Sequence, residues 1–288
     1  MRLQDLCRTY NIRFKKALGQ NLLLDDNINR IMVDAASLTD ADDVLEVGAG
    51  LGALTSRLHP LAGRVLAVEI DPSFMPCLED RFGDLPNVTL FRGDILNHEV
   101  DKLLDEFLPG WRDRRRKVVA NLPYYITTPI LFHFWESDVF FDRFVVMVQE
   151  EVAQRMVSVP GKSDYGVLSI AAQLYAETDL VHRVPASCFR PQPKVDSCIV
   201  RMRNRQTPRY PDIAPRTFLK VVRAAFAQRR KTLRNALSNT ELFGLDKNAI
   251  LESIEAAGID GGRRPQTLTS DEYAALAREA LRRADHAA

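Results

Sequence analysis

From about residue 43 to residue 148, short apolar runs rich in β-branched residues alternate with segments of helical spacing. "DVLEVGAG", "RVLAVEID", "NVTLFRGD", "KVVANLPYY" and "RFVVMVQEE" have the length and content of buried strands. "ALTSRLHPLAG", "PSFMPCLEDRF" and "TPILFHFWE" read as the helices between them. This alternation predicts βαβ units and an α/β fold with a parallel sheet. Two more runs, "VLSIAAQLYAE" and "VDSCIVRMR", read as strands that extend the sheet, the second following the turn-rich "FRPQPK". After "NRQTPRYPDIAP" the pattern becomes helical, with Phe218, Val221, Val222, Ala225 and Phe226 on one face and Thr269 and Glu272 at capping-box spacing. A boundary near residue 205 therefore predicts a sheet domain over 1–205 and an all-helical domain over 206–288.

A chain of 288 residues that is 46% hydrophobic has material for a large core. No apolar run approaches the roughly 18 residues of a membrane span, and the first residues lack the apolar stretch of a secretory signal. The expected address is cytoplasmic. The absence of an exposed apolar heptad makes a monomer the expectation. Cys7, Cys77, Cys188 and Cys198 form no C-x-x-C pair and the five histidines are scattered, so neither a disulfide framework nor a metal site is expected.

Net charge is only +1, but it is unevenly spread. Between Arg201 and Thr240 eleven basic residues face Asp212 alone, and in the first twenty residues Arg2, Arg8, Arg13, Lys15 and Lys16 face only Asp5. Clustered basic charge is the footprint of a polyanion such as nucleic acid, and equally of a solvated helical face. Charge alone leaves both readings open.

The candidate chemistry lies at the predicted strand ends. "VLEVGAGLGALT" sets Gly48, Gly50 and Gly52 between a strand and a helix, where glycine permits close approach of the backbone to a ligand. Glu69, 21 residues beyond Gly48, stands where a ribose-binding acid belongs. This loop by itself does not separate a nicotinamide dinucleotide from S-adenosylmethionine. Asp94 follows the third strand, placed to accept from an adenine amine, and Asn121 closes the fourth. Ligands of open α/β sheets bind at the carboxyl ends of strands, so these residues should line one crevice.

"NLPYY" suits methyl transfer to an adenine amine, whose lone pair is delocalised into the ring. Two acceptors, the Asn121 side-chain oxygen and the Leu122 carbonyl beside Pro123, would hold the amine protons and favour a pyramidal nitrogen. Tyr124 would offer a stacking face. No strong general base is required.

At this point the sequence closely resembles the small-subunit ribosomal RNA adenine N6,N6-dimethyltransferases. The resemblance runs through "KKALGQNLLLD", "EVGAGLGALT", "VEIDP", "GDIL", "NLPYYITTPIL", "MVQEEVAQRM", "FRPQPKVDS", "FAQRRKTLRNAL" and "RPQTLT", in that order. It implies a Rossmann-like class I methyltransferase domain with an N-terminal extension, then a small helical RNA-binding domain, using S-adenosyl-L-methionine. It further implies that Asn21, Leu23, Gly48, Gly50, Glu69, Ile70, Asp94, Ile95 and Asn121 bind the cofactor, with Glu69 on the ribose and Asp94 on the adenine. Asn121 and Leu122 would meet the target amine, Tyr124 and Phe189 would sandwich the base, and Arg229, Arg230, Lys231 and Arg234, along a helix, would contact RNA phosphates.

The implied substrate is a pair of adjacent adenines in a hairpin loop near the 3′ end of small-subunit rRNA, with assembly intermediates of that subunit as partners and a role in its biogenesis. The family usually has Phe where this chain has Leu22, and commonly Asn or Ser at Tyr125. Both departures leave the assigned polar groups intact and bear on packing at the N-terminal segment and pocket rim. A large-subunit rRNA adenine methyltransferase would share the Asn-hydrophobe-Pro-Tyr pattern but generally lacks "FAQRRKTLRNAL". Intact Glu69, Asp94, Asn121 and Tyr124 argue against a non-catalytic nucleic-acid-binding relative. An oxidoreductase reading explains only the glycine loop and Glu69.

Overall fold

A computed structural model describes residues 3–15, 19–238, 240 and 242–287. Arg2 and Lys16 of the N-terminal basic group, and Ala17 and Leu18 of "KKALGQ", lie outside the described residues. The chain divides into two compact units, Met1–Ala153 with Thr178–Gln206, and Gln154–Glu177 with Thr207–Ala288.

The elements run α1 (Leu3–Thr9), β1 (Leu22–Leu23), α2 (Asp26–Ala36), β2 (Asp42–Val47), α3 (Thr55–Leu58), β3 (Arg64–Glu69), α4 (Met75–Phe82), β4 (Val88–Arg92), α5 (Val100–Phe107), β5 (Arg115–Asn121), α6 (Thr127–Trp135), β6 (Arg143–Gln149) and α7 (Glu150–Val157). They continue with α8 (Val167–Tyr175), β7 (Ala176–Val184), β8 (Phe189–Arg190), β9 (Ser197–Asn204), α9 (Pro215–Phe226), α10 (Leu233–Leu237), α11 (Lys247–Ala256) and α12 (Ser270–Ala287).

Seven strands form one sheet in the order β4-β3-β2-β5-β6-β9-β7, and β1 pairs with β8 in a separate two-stranded ladder. β2 to β6 pair in parallel, and β9, formed by the predicted strand "VDSCIVRMR", runs antiparallel to β6. Both faces of the sheet are covered, which is why its strands read as near-continuous apolar runs. Val44, Val65, Val119, Val145 and Met147 share a core cluster with Met32 of α2, Leu58 of α3 and Leu78 of α4. The intervening Leu45, Leu66, Val118 and Val146 are buried as well. Phe144 packs against Phe134 of α6, ring centroids 5.9 Å apart.

One predicted strand is corrected. "VLSIAAQLYAE" forms α8 and only then, at Ala176, enters β7. Leu168, Ser169, Ile170, Ala171, Ala172 and Leu174 are all buried, so no polar stripe reveals the helical period. β7, "AETDLVHRV", is mostly polar and escaped notice as a strand. Residues 154–177, which the sequence reading assigned to the sheet domain, accordingly belong to the second unit.

Within that second unit α9 buries Phe218, Val221, Val222 and Ala225 of its predicted face and Leu219 besides, while Phe226 is half-buried. The predicted capping box is present at the start of α12: Glu272 N–H donates to Thr269 Oγ1 at 3.1 Å, and Thr269 N–H donates to Glu272 Oε2 at 2.8 Å.

At the amino ends of the central strands a buried ion network ties β2 to β5. Lys117 Nζ, itself buried, donates to Asp42 Oδ2 at 2.9 Å and to the Ser37 carbonyl at 2.7 Å. Burial by itself would raise the Asp42 carboxyl, but Lys117 and the Thr39 N–H outweigh it and hold the group below the usual range. The contribution of this pair is therefore present above the ordinary carboxylate pKa and is lost as pH falls through the lowered value. Lys117→Met, which leaves Asp42 without its ammonium, should destabilise the fold by about 3–5 kcal/mol in urea unfolding at neutral pH. The Asp42→Leu/Lys117→Met double variant should lose much less.

Candidate active site

The strand order reverses between β2 and β5, and a cleft opens at the carboxyl ends of β2, β3, β4 and β5. It encloses about 770 Å³ free of protein atoms, counted out to its open mouth. Asn21, Gly48, Gly50, Glu69, Ile70, Asp94, Ile95, Asn121, Leu122 and Tyr124 all line it. The structure thus brings together ten of the residues that the sequence assigned to cofactor and substrate.

The glycine loop follows β2 with positive φ at Gly48, Gly50 and Gly52. Gly52 is doubly constrained, since a Cβ there would come within 2.2 Å of Phe82 Cε2. The loop is anchored on β3: the N–H groups of Gly48 and Ala49 donate to the Val68 carbonyl at 2.8 and 3.1 Å. Gly50 N–H donates to Glu69 Oε2 at 2.7 Å, and the other carboxylate oxygen accepts from Asp71 N–H at 2.8 Å. Burial raises the Glu69 carboxyl, and the two N–H donors act against that rise. Glu69 therefore shapes the loop while presenting its remaining lone pairs to the cleft. Asp94 accepts from Leu96 N–H at 3.0 Å, fixing its side chain at the start of a short 3-10 turn.

On the opposite wall β5 ends at Asn121, held in the sheet beside Met147. Leu122 N–H donates to the Met147 carbonyl at 3.1 Å, which extends this support into the "NLPYY" turn. Tyr124 is fixed through its phenol, 2.6 Å from the buried Ser197 Oγ of β9. Burial raises its pKa, so the ring meets the cleft as a neutral phenol. Tyr125 stands at the rim, 52% exposed.

Leu23 and Phe189 lie elsewhere. They are opposite partners in the β1–β8 ladder and both are buried in the main core cluster. Alternation along β1 sends Leu22 to the cleft and Leu23 to the core. Leu23 borders a smaller cavity behind the glycine loop, together with Glu46 and Asn29. The basic residues are also rearranged relative to expectation. Arg229, Arg230 and Lys231 occupy the turn between α9 and α10, and only Arg234 lies on a helix. The Arg229 guanidinium is partly committed within its own unit, donating to the carbonyls of Ser163 and, at 3.1 Å, Tyr165.

Three residues of evident importance were not singled out from sequence: Glu46, Asp71 and Ser197. Glu46 and Asp71 sit inside the quoted "EVGAG" and "VEIDP", so a signal was present. Nothing in the sequence pairs Ser197 with Tyr124.

The donor set fits an adenosyl ligand with a charged amino-acid end. It combines a glycine loop for close approach, a carboxylate at each of two strand ends, and apolar Ile70 and Ile95 beside them. The profile of the ribosomal RNA adenine dimethylase family matches residues 11–278. "Ribosomal RNA small subunit methyltransferase A" of Alkaliphilus oremlandii is 43% identical, covering 95% of this chain and 94% of its own, and the protein of that name from Clostridioides difficile is 42% identical over 95% and 93%. Among solved structures, a dimethyladenosine transferase from Plasmodium falciparum superposes with a TM-score of 0.74 at 26% identity, covering 88% of this chain and 95% of that one. The 23S rRNA methyltransferase ErmE gives 0.63 at 25%, covering 91% and 100%.

Glu46 supplies a pH test. Its carboxyl is buried, accepts from Thr55 Oγ1 at 2.6 Å, and is pushed up to about 8 by burial and by the neighbouring Glu69 charge. A raised folded-state pKa gives stability that is complete below the ordinary carboxylate value and is lost as pH rises toward 8. Relative to Glu46→Gln, the wild-type protein should lose a few kcal/mol between pH 5 and pH 8, at about 1.4 kcal/mol per unit. Parallel urea titrations of the two proteins check this, and a pH-independent difference would show that Glu46 is ionised throughout.

Proposed function

The chain belongs to the ribosomal RNA adenine dimethylase family, and on that premise we propose that it moves methyl groups from S-adenosylmethionine to the N6 amines of two adjacent adenines in a hairpin loop near the 3′ end of small-subunit rRNA. It is an rRNA adenine dimethyltransferase with a Rossmann-like class I fold. The observation that carries the finer reading is the convergence of Gly48, Glu69, Asp94 and Asn121 on one cleft at the point where the strand order reverses.

When bound, S-adenosylmethionine supplies an electrophilic methyl group on a sulfonium. In this reading Glu69 accepts from the ribose hydroxyls with lone pairs that Gly50 and Asp71 leave available, and Asp94 accepts from the adenine amine of the cofactor. Ile70 and Ile95 line the adenosine end with apolar surface, and Asn21 and Gly48 meet the amino-acid end. Asn121 Oδ1 and the Leu122 carbonyl accept from the target amine, which orients its nitrogen and restores lone-pair density to it. A base drawn out of its stack rests on Tyr124, whose orientation Ser197 fixes. Phe189 is buried behind β1, and we assign it to supporting that segment.

The exposed Arg230, Lys231 and Arg234 contact phosphates, in agreement with shape-based recognition of folded RNA. The small ribosomal subunit and its assembly intermediates are the proposed partners, with a role in subunit biogenesis and a cytoplasmic site of action. Among the described residues no helix is long and apolar enough to cross a membrane.

Incubation with labelled S-adenosylmethionine and immature, unmodified small subunits should yield N6,N6-dimethyladenosine in small-subunit rRNA. Label confined to large-subunit rRNA would overturn the substrate assignment. Asn121→Ala should reduce transfer by about 100-fold or more while retaining part of the cofactor affinity, and wild-type turnover in that variant would sink the proposed mechanism.

A further inference from the structure

Asp71 does not line the cleft, yet it sits at a junction of the groups that do. Its side chain is fully buried. Oδ1 accepts from Lys15 Nζ at 2.7 Å and from the N–H and hydroxyl of Ser73 at 2.9 and 2.8 Å, and Oδ2 accepts from Gln20 Nε2 at 2.6 Å. Its own N–H holds Glu69. The Gln20 side chain also turns back, its Oε1 accepting from Lys15 N–H at 2.7 Å. Residues 15 and 20 are thereby fastened to the turn after β3, and to each other.

The chain that leaves this fastening covers the cleft. Gly19, Gln20, Asn21 and Leu22 all line it. Gly19 has φ +58°, and Tyr125 comes to 3.0 Å from where a Cβ would lie, so the segment passes beneath that ring. Leu22 reaches the glycine loop, its Cδ2 being 3.2 Å from a Cβ built on Gly50. At its far end the segment is pinned by the β1–β8 ladder and by Leu24 N–H donating to the Cys188 carbonyl at 2.8 Å. It is therefore a strap fixed at both ends, with Asn21 between them.

We infer that Asp71 is a positioning residue for cofactor binding: by fastening Lys15 and Gln20 it holds the Gly19–Leu22 strap, and so Asn21, over the adenosyl cleft. The inference rests on the reading of that cleft as an S-adenosylmethionine site. The fastening suits the task because it is charge-assisted, buried at its carboxylate, and distributed over both oxygens. Burial would raise the Asp71 carboxyl, but Lys15, Ser73 and Gln20 bring it down to about 2, which keeps it charged wherever the protein works. Asp71 also joins two parts of the site, since one residue sets the Glu69 carboxylate through its backbone and the strap through its side chain.

The test uses two variants of the full chain, Lys15→Met and Asp71→Asn. Lys15 is about half exposed, so its replacement spares the core. Hydrogen exchange in the free protein should accelerate at the amides of Gly19 to Leu24 in both variants and stay unchanged in β5 and β6. Calorimetry should show S-adenosylmethionine binding weakened by about tenfold in each. In transfer assays KM for that substrate should rise in step, with kcat at saturation within about twofold of wild type. The double variant should bind no more weakly than Asp71→Asn, which already removes the carboxylate that Lys15 meets. Unchanged exchange in the strap, or unchanged affinity in variants of a wild-type protein that does bind, overturns the role of Asp71 alone. A wild-type protein that binds no S-adenosylmethionine overturns the cofactor reading and this inference with it.

Discussion

Three positive-φ glycines in five residues make a loop with little intrinsic preference for one shape, and such a loop is held only where its N–H groups find fixed acceptors. The first acceptor is the end of β3: the Val68 carbonyl takes two of the loop's N–H groups, and the buried Glu69 carboxylate takes a third. The geometry of the cleft depends on that carboxylate. It keeps the loop against the sheet, and its second oxygen accepts the Asp71 N–H that starts the next turn. Burying a carboxylate costs free energy unless hydrogen bonds offset the loss of water, and here the offset is the structural purpose of the group as well as its compensation.

The sheet places buried acids at its two ends in different settings. At the amino ends Asp42 meets Lys117, with the Arg115 guanidinium 3.0 Å from its other oxygen, and Asp43 meets Arg64 and Arg114. Each of those two carboxylates is met by a pair of cations. At the carboxyl ends Glu46 and Glu69 are held mainly by hydroxyl and N–H donors, and among the described residues neither forms an ion pair. Of the two, Glu69 lines the cleft, and a carboxylate satisfied by neutral donors keeps capacity to accept from a ligand that brings hydroxyls. The contrast fits a molecule whose one end is scaffold and whose other end is a site.

Much of this was legible in the sequence because strand ends carry period and punctuation together. "VLEVGAG", "VEID" and "FRGD" each stop an apolar run with glycine or acid, and the structure gathers Gly48, Glu69 and Asp94 accordingly. What stayed hidden has physical causes. α8 is buried on most sides and has no polar stripe, so its period was invisible, while β7 is too polar to look like a strand. Motif membership says nothing of which face of a two-residue strand looks inward, so the burial of Leu23 and Phe189 as partners in the β1–β8 ladder was not visible. The basic cluster was expected along a helix, but "AQRRKT" forms the turn before α10. The partners of Asp71 lie some fifty residues upstream, and Ser197 lies 73 residues beyond Tyr124; no local pattern encodes either distance.

The β1–β8 ladder joins residue 22 to residue 190, with nearly the whole sheet unit threaded between them. A contact of that span forms late, because the entropy of closing so long a loop is recovered only after the intervening strands have paired. During synthesis the chain must have emerged past Arg190 before the segment over the cleft can be pinned at its far end. The five parallel strands lie before that point, so the parallel part of the sheet can be in place while β9 is still to join it and the ligand cleft is still unroofed.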